Sequence, residues 1–286
     1  MSSIKILDGG MGTEIIAQGI KLPNFIWSAH TNLQNPSLIY DIHKKYIDAG
    51  SDFITTNTFR TTTRSYMKNG LAENEARKQA FHSLSNALKM AHKARENTKV
   101  KILGSIAPLE DCYSPLDYPG DQKAEREILE LSEWLIEKQV DIFILETMNN
   151  LSEILMYLKI ISQYNIPIWL SLNLSDKYSI LSGENISDVL ASISGYSIDK
   201  LLLNCNSIAD TLEAMPTLTN YWSGEWGIYP NLGLGKPSAN GVISEFSSFD
   251  DFLDIAIKAV DMGATILGGC CGSNAQHIQL LSEKFK

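Results

Sequence analysis

Short apolar runs recur along the whole chain, and between them apolar residues return every three or four positions. The runs are Ile4–Asp8, Asp52–Thr56, Lys101–Ile106, Asp141–Glu146, Pro167–Asn173, Lys200–Cys205, Trp226–Asn231 and Ala264–Gly269. They are nearly continuous in apolar residues, as parallel strands covered on both faces are. The intervening segments Pro36–Ala49, Glu73–Arg95, Ala124–Lys138, Leu151–Gln163, Ile186–Ser194, Ser207–Leu218, Phe249–Met262 and Ala275–Lys284 fit the helical period of 3.6. In Pro36–Ala49, for example, Leu38, Ile39, Ile42, Tyr46 and Ile47 share roughly one face. Eight strand–helix alternations predict an α/β protein, a (β/α)8 TIM-type barrel forming a single domain over residues 1–286. An open, doubly wound sheet carries the same alternation and stands as the alternative. Two connections are long, Pro108–Gln122 after the third strand and Asn231–Phe246 after the seventh. In a barrel both lie on the face where strands end and chemistry is placed.

Composition narrows the function. The 286 residues suit one barrel of ~250 residues. The net charge of −9, with no basic cluster, argues against nucleic acid, whose phosphates call for grouped Lys and Arg. No segment approaches the ~20 apolar residues that cross a bilayer. The N-terminus runs straight into a strand without a leader pattern, so a cytoplasmic protein acting on small molecules is expected.

Four cysteines in a chain of this length do not make a disulfide framework. Cys205 ends the sixth run, and Cys270 and Cys271 follow the eighth, flanked by Gly268, Gly269 and Gly272. A closed barrel brings these ends to one rim. Three thiolates there form a tripod for Zn2+ with the fourth tetrahedral position open, as in catalytic rather than structural sites. The glycines permit the sharp turn that aims two adjacent side chains at one ion. The alternatives are three small buried hydrophobes, or a disulfide. Cys112 lies in the third loop without a partner motif. None of the five histidines has metal-ligand spacing.

At these residues the chain resembles the homocysteine S-methyltransferase family. The matching pieces are DGGMGTE at Asp8–Glu14, TTNTF at Thr55–Phe59, FILET at Phe143–Thr147, NCN at Asn204–Asn206, YPN at Tyr229–Asn231 and GGCCG at Gly268–Gly272. They span most of the chain, and GGCCG with the upstream NCN is the specific part. The resemblance implies a barrel enzyme in which Cys205, Cys270 and Cys271 bind zinc, and Asp8 and Glu146 hold the α-ammonium of homocysteine. Gly9 and Thr56 line the same pocket, and Asn231 takes the fourth metal position when no thiol is bound. Read locally, Asp8 also suits a helix N-cap, Glu146 a surface charge, and Asn231 a turn before Gly233.

A free thiol, with a pKa near ~8.5, is mostly protonated at neutral pH, and coordination to zinc deprotonates it. The implied reaction is methyl transfer to that sulfur, with no obligatory histidine base. One barrel leaves no room for folate or cobalamin domains, so a small onium donor such as S-methylmethionine or S-adenosylmethionine is expected ahead of betaine. Arg60, just after TTNTF, either binds a substrate carboxylate or pairs with an acidic neighbour. A relative acting on another thiol or selenol, and a non-catalytic zinc-binding barrel, are the competing readings.

Overall fold

Side chains alternate across each strand, and here the alternation sorts two layers of core. Leu7, Leu103, Ile142, Ile144, Trp169, Leu202, Tyr229 and Ile266 form an inner cluster. Their neighbours Ile6, Ile102, Phe143, Leu145, Leu170, Leu201, Leu203 and Leu267 join a larger cluster against the helices. The computed structural model describes residues 3–234 and 245–286.

The strands are β1 (Lys5–Ile6), β2 (Phe53–Thr55), β3 (Lys101–Ile106), β4 (Ile142–Met148), β5 (Ile168–Leu172), β6 (Lys200–Ser207), β7 (Trp226–Asn231) and β8 (Ile266–Leu267). Each coincides with a predicted run, β4 and β6 extending two residues past theirs, while β1 and β8 are only two residues long. All ladders are parallel, and consecutive strands are neighbours from β2 to β8, with β1 beside β8. That order excludes the doubly wound alternative, in which the order reverses. The β1–β2 seam is closed largely by carboxylates. Asp52 N–H donates to the Ile6 carbonyl at 2.7 Å, and Ile6 N–H donates to Asp52 Oδ2 at 2.8 Å. At the other end of the seam, Thr55 N–H donates to Asp8 Oδ2 at 2.7 Å.

The helices are α1 (Met11–Ala17), α2 (Ala29–Gln34), α3 (Pro36–Asp48), α4 (Thr63–Lys68), α5 (Glu73–Arg95), α6 (Asp121–Glu137), α7 (Leu151–Ile161), α8 (Ile186–Ile193), α9 (Ile208–Tyr221), α10 (Phe249–Asp261) and α11 (Ala275–Phe285). The eight predicted helices are present, with ends shifted by a few residues. The short α1, α2 and α4 are additional to those eight, being too brief to show a periodic stripe. Among the described residues no helix is long and apolar enough to cross a membrane.

The third loop is held on the barrel rim. Arg60 Nη1 donates to the carbonyls of Pro108 (2.9 Å) and Glu110 (2.7 Å), and Glu153 accepts from Leu109 N–H at 2.7 Å. In the loop after β7, Gly235, Pro237 and Gly241 lie outside the described residues. Its described flanks meet as an antiparallel bridge between Gly233 and Phe246.

Candidate metal centre and substrate cavity

The strand ends surround a cavity of about 680 Å³, within the usual range for small-molecule sites. All eight predicted site residues lie on its wall by way of strand ends and the turns after them: Asp8, Gly9, Thr56, Glu146, Cys205, Cys270, Cys271 and Asn231. Asn231 Oδ1 also accepts from Gly233 N–H at 2.8 Å, the turn contact. No histidine lines the cavity among the described residues.

Strict alternation would aim Cys205 away from the cavity, since Leu202 and Asn204 point inward. A register shift in β6 between Asn204 and Ser207 corrects this, with Cys205 in the left-handed region at φ 57°. A non-glycine residue there is strained by roughly 1–3 kcal/mol, which surrounding contacts must offset. The adjoining β4 shifts register between Leu145 and Met148, with Thr147 at φ 51° just beyond Glu146. One side chain ties the two irregularities together. Buried Asn204 Oδ1 accepts from Thr147 N–H at 2.9 Å and from the Ser171 hydroxyl at 2.6 Å.

Of the glycines beside the cysteine pair, only Gly272 uses a left-handed turn, at φ 84°. Gly269 serves a different need from the turn expected of it: a Cβ there would meet Ser273 Cβ and Oγ at 2.4 Å. Its role is close approach.

The sulfurs of Cys205, Cys270 and Cys271 all lie within 4.8 Å of one another, and Cys205 Sγ is 3.9 Å from Cys271 Sγ. Metal–sulfur bonds near ~2.3 Å in a tetrahedron place sulfurs ~3.8 Å apart, so the trio fits a thiophilic cation. All four cysteines are free, and no sulfur pair is a disulfide. Hydrogen bonds from Cys205 and Cys270 hold the Cys271 thiol well below its ordinary range, while the same contacts push the Cys270 thiol up. Cys112 also lines the cavity but stands outside the trio, and burial pushes its thiol up to about 12.

Asp8 does not cap a helix. The α1 N-cap is Gly10, and the Asp8 carboxylate accepts from Thr55 N–H (2.7 Å) and Thr55 Oγ1 (2.9 Å). Burial raises its pKa to about 8 against the lowering effect of those bonds, and the nearby Glu146 charge adds to the rise. Glu146 is inside the barrel rather than a surface charge. It accepts from the Ser105 hydroxyl, and burial raises it to about 7. A buried carboxylate, Asp8, and a half-buried one, Glu146, thus face one cavity. Thr56 lines it too, with its hydroxyl engaged by Ser105 N–H (3.0 Å) and Thr58 Oγ1 (2.8 Å). Arg60 also lines the cavity, stacked over Phe59 at 4.9 Å. It bonds loop carbonyls rather than an acidic partner, while Arg64 takes Glu110 and Glu127.

Thr55, Ser105, Asn204, Tyr229 and Tyr113 join the site without having been singled out from the sequence. Thr55, Asn204 and Tyr229 sit inside the quoted motifs. Ser105 was findable as the inward residue two beyond Leu103. Tyr113, on an irregular loop, offered no periodic signal.

The family pattern described as homocysteine S-methyltransferase matches residues 5–285. The chain is 26% identical to the homocysteine S-methyltransferase of Escherichia coli (strain K12), over 98% of this chain and 95% of that protein. It is 24% identical to a selenocysteine Se-methyltransferase of Brassica oleracea var. italica, over 98% and 88%. The crystal structure of the homocysteine methyltransferase MmuM from Escherichia coli, in its metallated form, superposes with a TM-score of 0.83 at 26% identity, covering 99% of this chain and 96% of that one. Barrel closure, the cysteine trio and the near full-length match agree, and the chain belongs to the homocysteine S-methyltransferase family.

Proposed function

We propose that this protein transfers a methyl group from a small onium donor to the sulfur of homocysteine, giving methionine, at a Zn2+ ion held by Cys205, Cys270 and Cys271. The convergence of three free thiols on one point of a cavity that also holds the carboxylates of Asp8 and Glu146 carries this reading. Zinc, when bound, supplies thiol deprotonation at neutral pH and leaves the sulfur nucleophilic. Asp8 and Glu146 receive the α-ammonium of the acceptor, which relieves their burial as carboxylates. Gly9 and Thr56 complete the wall beside them. The acceptor loses its thiol proton to solvent on binding. Its sulfur then forms the new S–CH3 bond as the donor's onium–CH3 bond breaks, and the bonding pair leaves with the neutral donor. Phe25, Trp27, Phe59 and Tyr113 on the cavity wall, with Asp111 and Asp117, suit a cationic donor. S-Methylmethionine and S-adenosylmethionine are the favoured donors. Asn231 is assigned to the fourth metal position in the thiol-free state, through the lone pair not used by Gly233. Free cysteines as ligands call for a reducing compartment, and the cytoplasm is the proposed location.

The test is methionine formation by zinc-loaded protein from homocysteine, with S-methylmethionine, S-adenosylmethionine and betaine offered separately. Turnover with one donor is expected, lost in Cys270→Ala or after zinc is stripped. Zinc bound with no turnover from any donor would sink the homocysteine assignment. The similarity to a selenocysteine Se-methyltransferase supports a second reading, a thiol or selenol other than homocysteine as acceptor. Methylation of selenocysteine in preference to homocysteine would establish it. Metal binding without transfer to any acceptor would leave a non-catalytic zinc-binding barrel.

A further inference from the structure

Tyr113 belongs to the third loop, where an exposed aromatic residue would ordinarily be free to turn. It is not free here. Asn149 Nδ2 donates to the carbonyl of the preceding Cys112 at 2.7 Å, and Asn150 Nδ2 donates to the Pro115 carbonyl at 3.1 Å. Tyr113 N–H donates to Asp111 Oδ1 at 2.8 Å. With Arg60 and Glu153 holding the start of the loop, the backbone on both sides of Tyr113 is anchored to the strand-end scaffold. Tyr113 is 51% exposed, yet its hydroxyl reaches inward to 3.3 Å from Cys205 Sγ. An apolar ring would cover the cavity equally well; the hydroxyl is the part that meets sulfur.

Cys205 is the cysteine that needs such a partner. Cys270 and Cys271 hold each other's geometry through one glycine-flanked turn. Cys205 comes from another strand and depends on a bulge with a left-handed φ. A hydrogen bond from outside the ligand set restricts its side-chain rotation and draws charge from its sulfur.

We propose that Tyr113 is a positioning residue of the metal centre, its hydroxyl donating to the Cys205 sulfur so as to seat that thiolate and temper its charge. This rests on reading the cysteine trio as a metal centre, and the test separates the two claims. Load the protein with Co2+ in place of zinc and record its thiolate-to-cobalt charge-transfer absorption, with no substrate present. Then measure Co2+ retention against a competing chelator. In Tyr113→Phe the absorption is expected to move to longer wavelength, because an unbonded thiolate gives up charge more readily, and Co2+ affinity to fall ~10-fold or more. Tyr118→Phe controls for the loop. Its hydroxyl bonds Asp121 at 2.9 Å, and both readings are expected to match wild type. If Tyr113→Phe matches wild type in both, the Tyr113 assignment is overturned and the metal centre stands. If wild type shows no thiolate–cobalt absorption, both fall. A shifted absorption in a protein that methylates nothing would uphold Tyr113 and sink the reaction.

Discussion

Asp8 and Glu146 are carboxylates raised by burial to about 8 and about 7, so the ammonium binding proposed for them is expected to depend on pH. Only the ionised forms attract it, so the KM for homocysteine is expected to fall as pH rises through this window. Glu146→Gln removes one charge without changing shape. A loss of ~10–100-fold in kcat/KM, seated mainly in KM, is expected from a charged hydrogen bond. The stability consequence has the opposite sign to an ordinary salt-bridged acid. Both folded pKa values lie above the unfolded ones, so the folded state binds more protons, and ligand-free stability declines as pH rises toward 8. Buried His43, lowered to about 3, and His277, lowered to about 4, act the other way, and their effect levels off only as pH passes above the unfolded value of 6.5. Melting curves between pH 7 and 8 therefore follow mainly the raised carboxylates, Glu153 (raised by burial to about 7) among them, and Glu146→Gln is expected to lessen the decline. Both residues were legible through motif resemblance, but their burial was not. Glu146 was open to reading as a surface charge until β4 placed it on the inner face after Ile142 and Ile144.

At the scale of elements, two irregular strand ends decide the site. Asn204 on β6 holds the backbone of β4 through Thr147 and the end of β5 through Ser171. Asn204→Leu leaves a buried N–H and a hydroxyl without their acceptor. A loss of ~1–3 kcal/mol in denaturant unfolding is expected, with weaker metal binding because the Cys205 bulge is no longer braced. Unchanged metal affinity in that variant would show that the bulge holds Cys205 unaided. The long helices were readable because their apolar stripes repeat over several turns. α5 matches its predicted span Glu73–Arg95 at both ends. The bulges were not readable, since NCN and FILET contain no glycine to mark a left-handed residue. What forces Cys205 and Thr147 into that region is the neighbouring strand.

For the whole molecule, the notable feature is how the barrel closes. The β1–β2 seam relies on Asp52 at one end and Asp8 at the other, so Asp8 serves the fold as well as the site. Asp8→Ala is expected to cost ~1–3 kcal/mol of unfolding free energy by orphaning Thr55 N–H, together with loss of activity. Asp8→Asn keeps an acceptor oxygen for Thr55 while discarding the charge. It is expected to recover most of the stability and little of the homocysteine binding. Equal stability of the Ala and Asn variants would remove Asp8 from the seam.

Hydrophobic patterning by itself determined eight alternations of parallel strand and helix; the strand order decided for the barrel, whose strand ends gather Cys205, Cys270 and Cys271. The physical reason is that burial on two faces dictates continuous apolar strands, and helices must present an apolar stripe to cover them. Tertiary structure alone decided which way Cys205 points, why Gly269 carries no side chain, that Arg60 braces a loop, and that Tyr113 meets sulfur. The Arg60 and Tyr113 contacts join segments far apart in the chain, the direction of Cys205 is set by a register shift against the neighbouring strand, and the close approach of Ser273 to Gly269 depends on how the turn after β8 folds. Local pattern carries no record of such contacts.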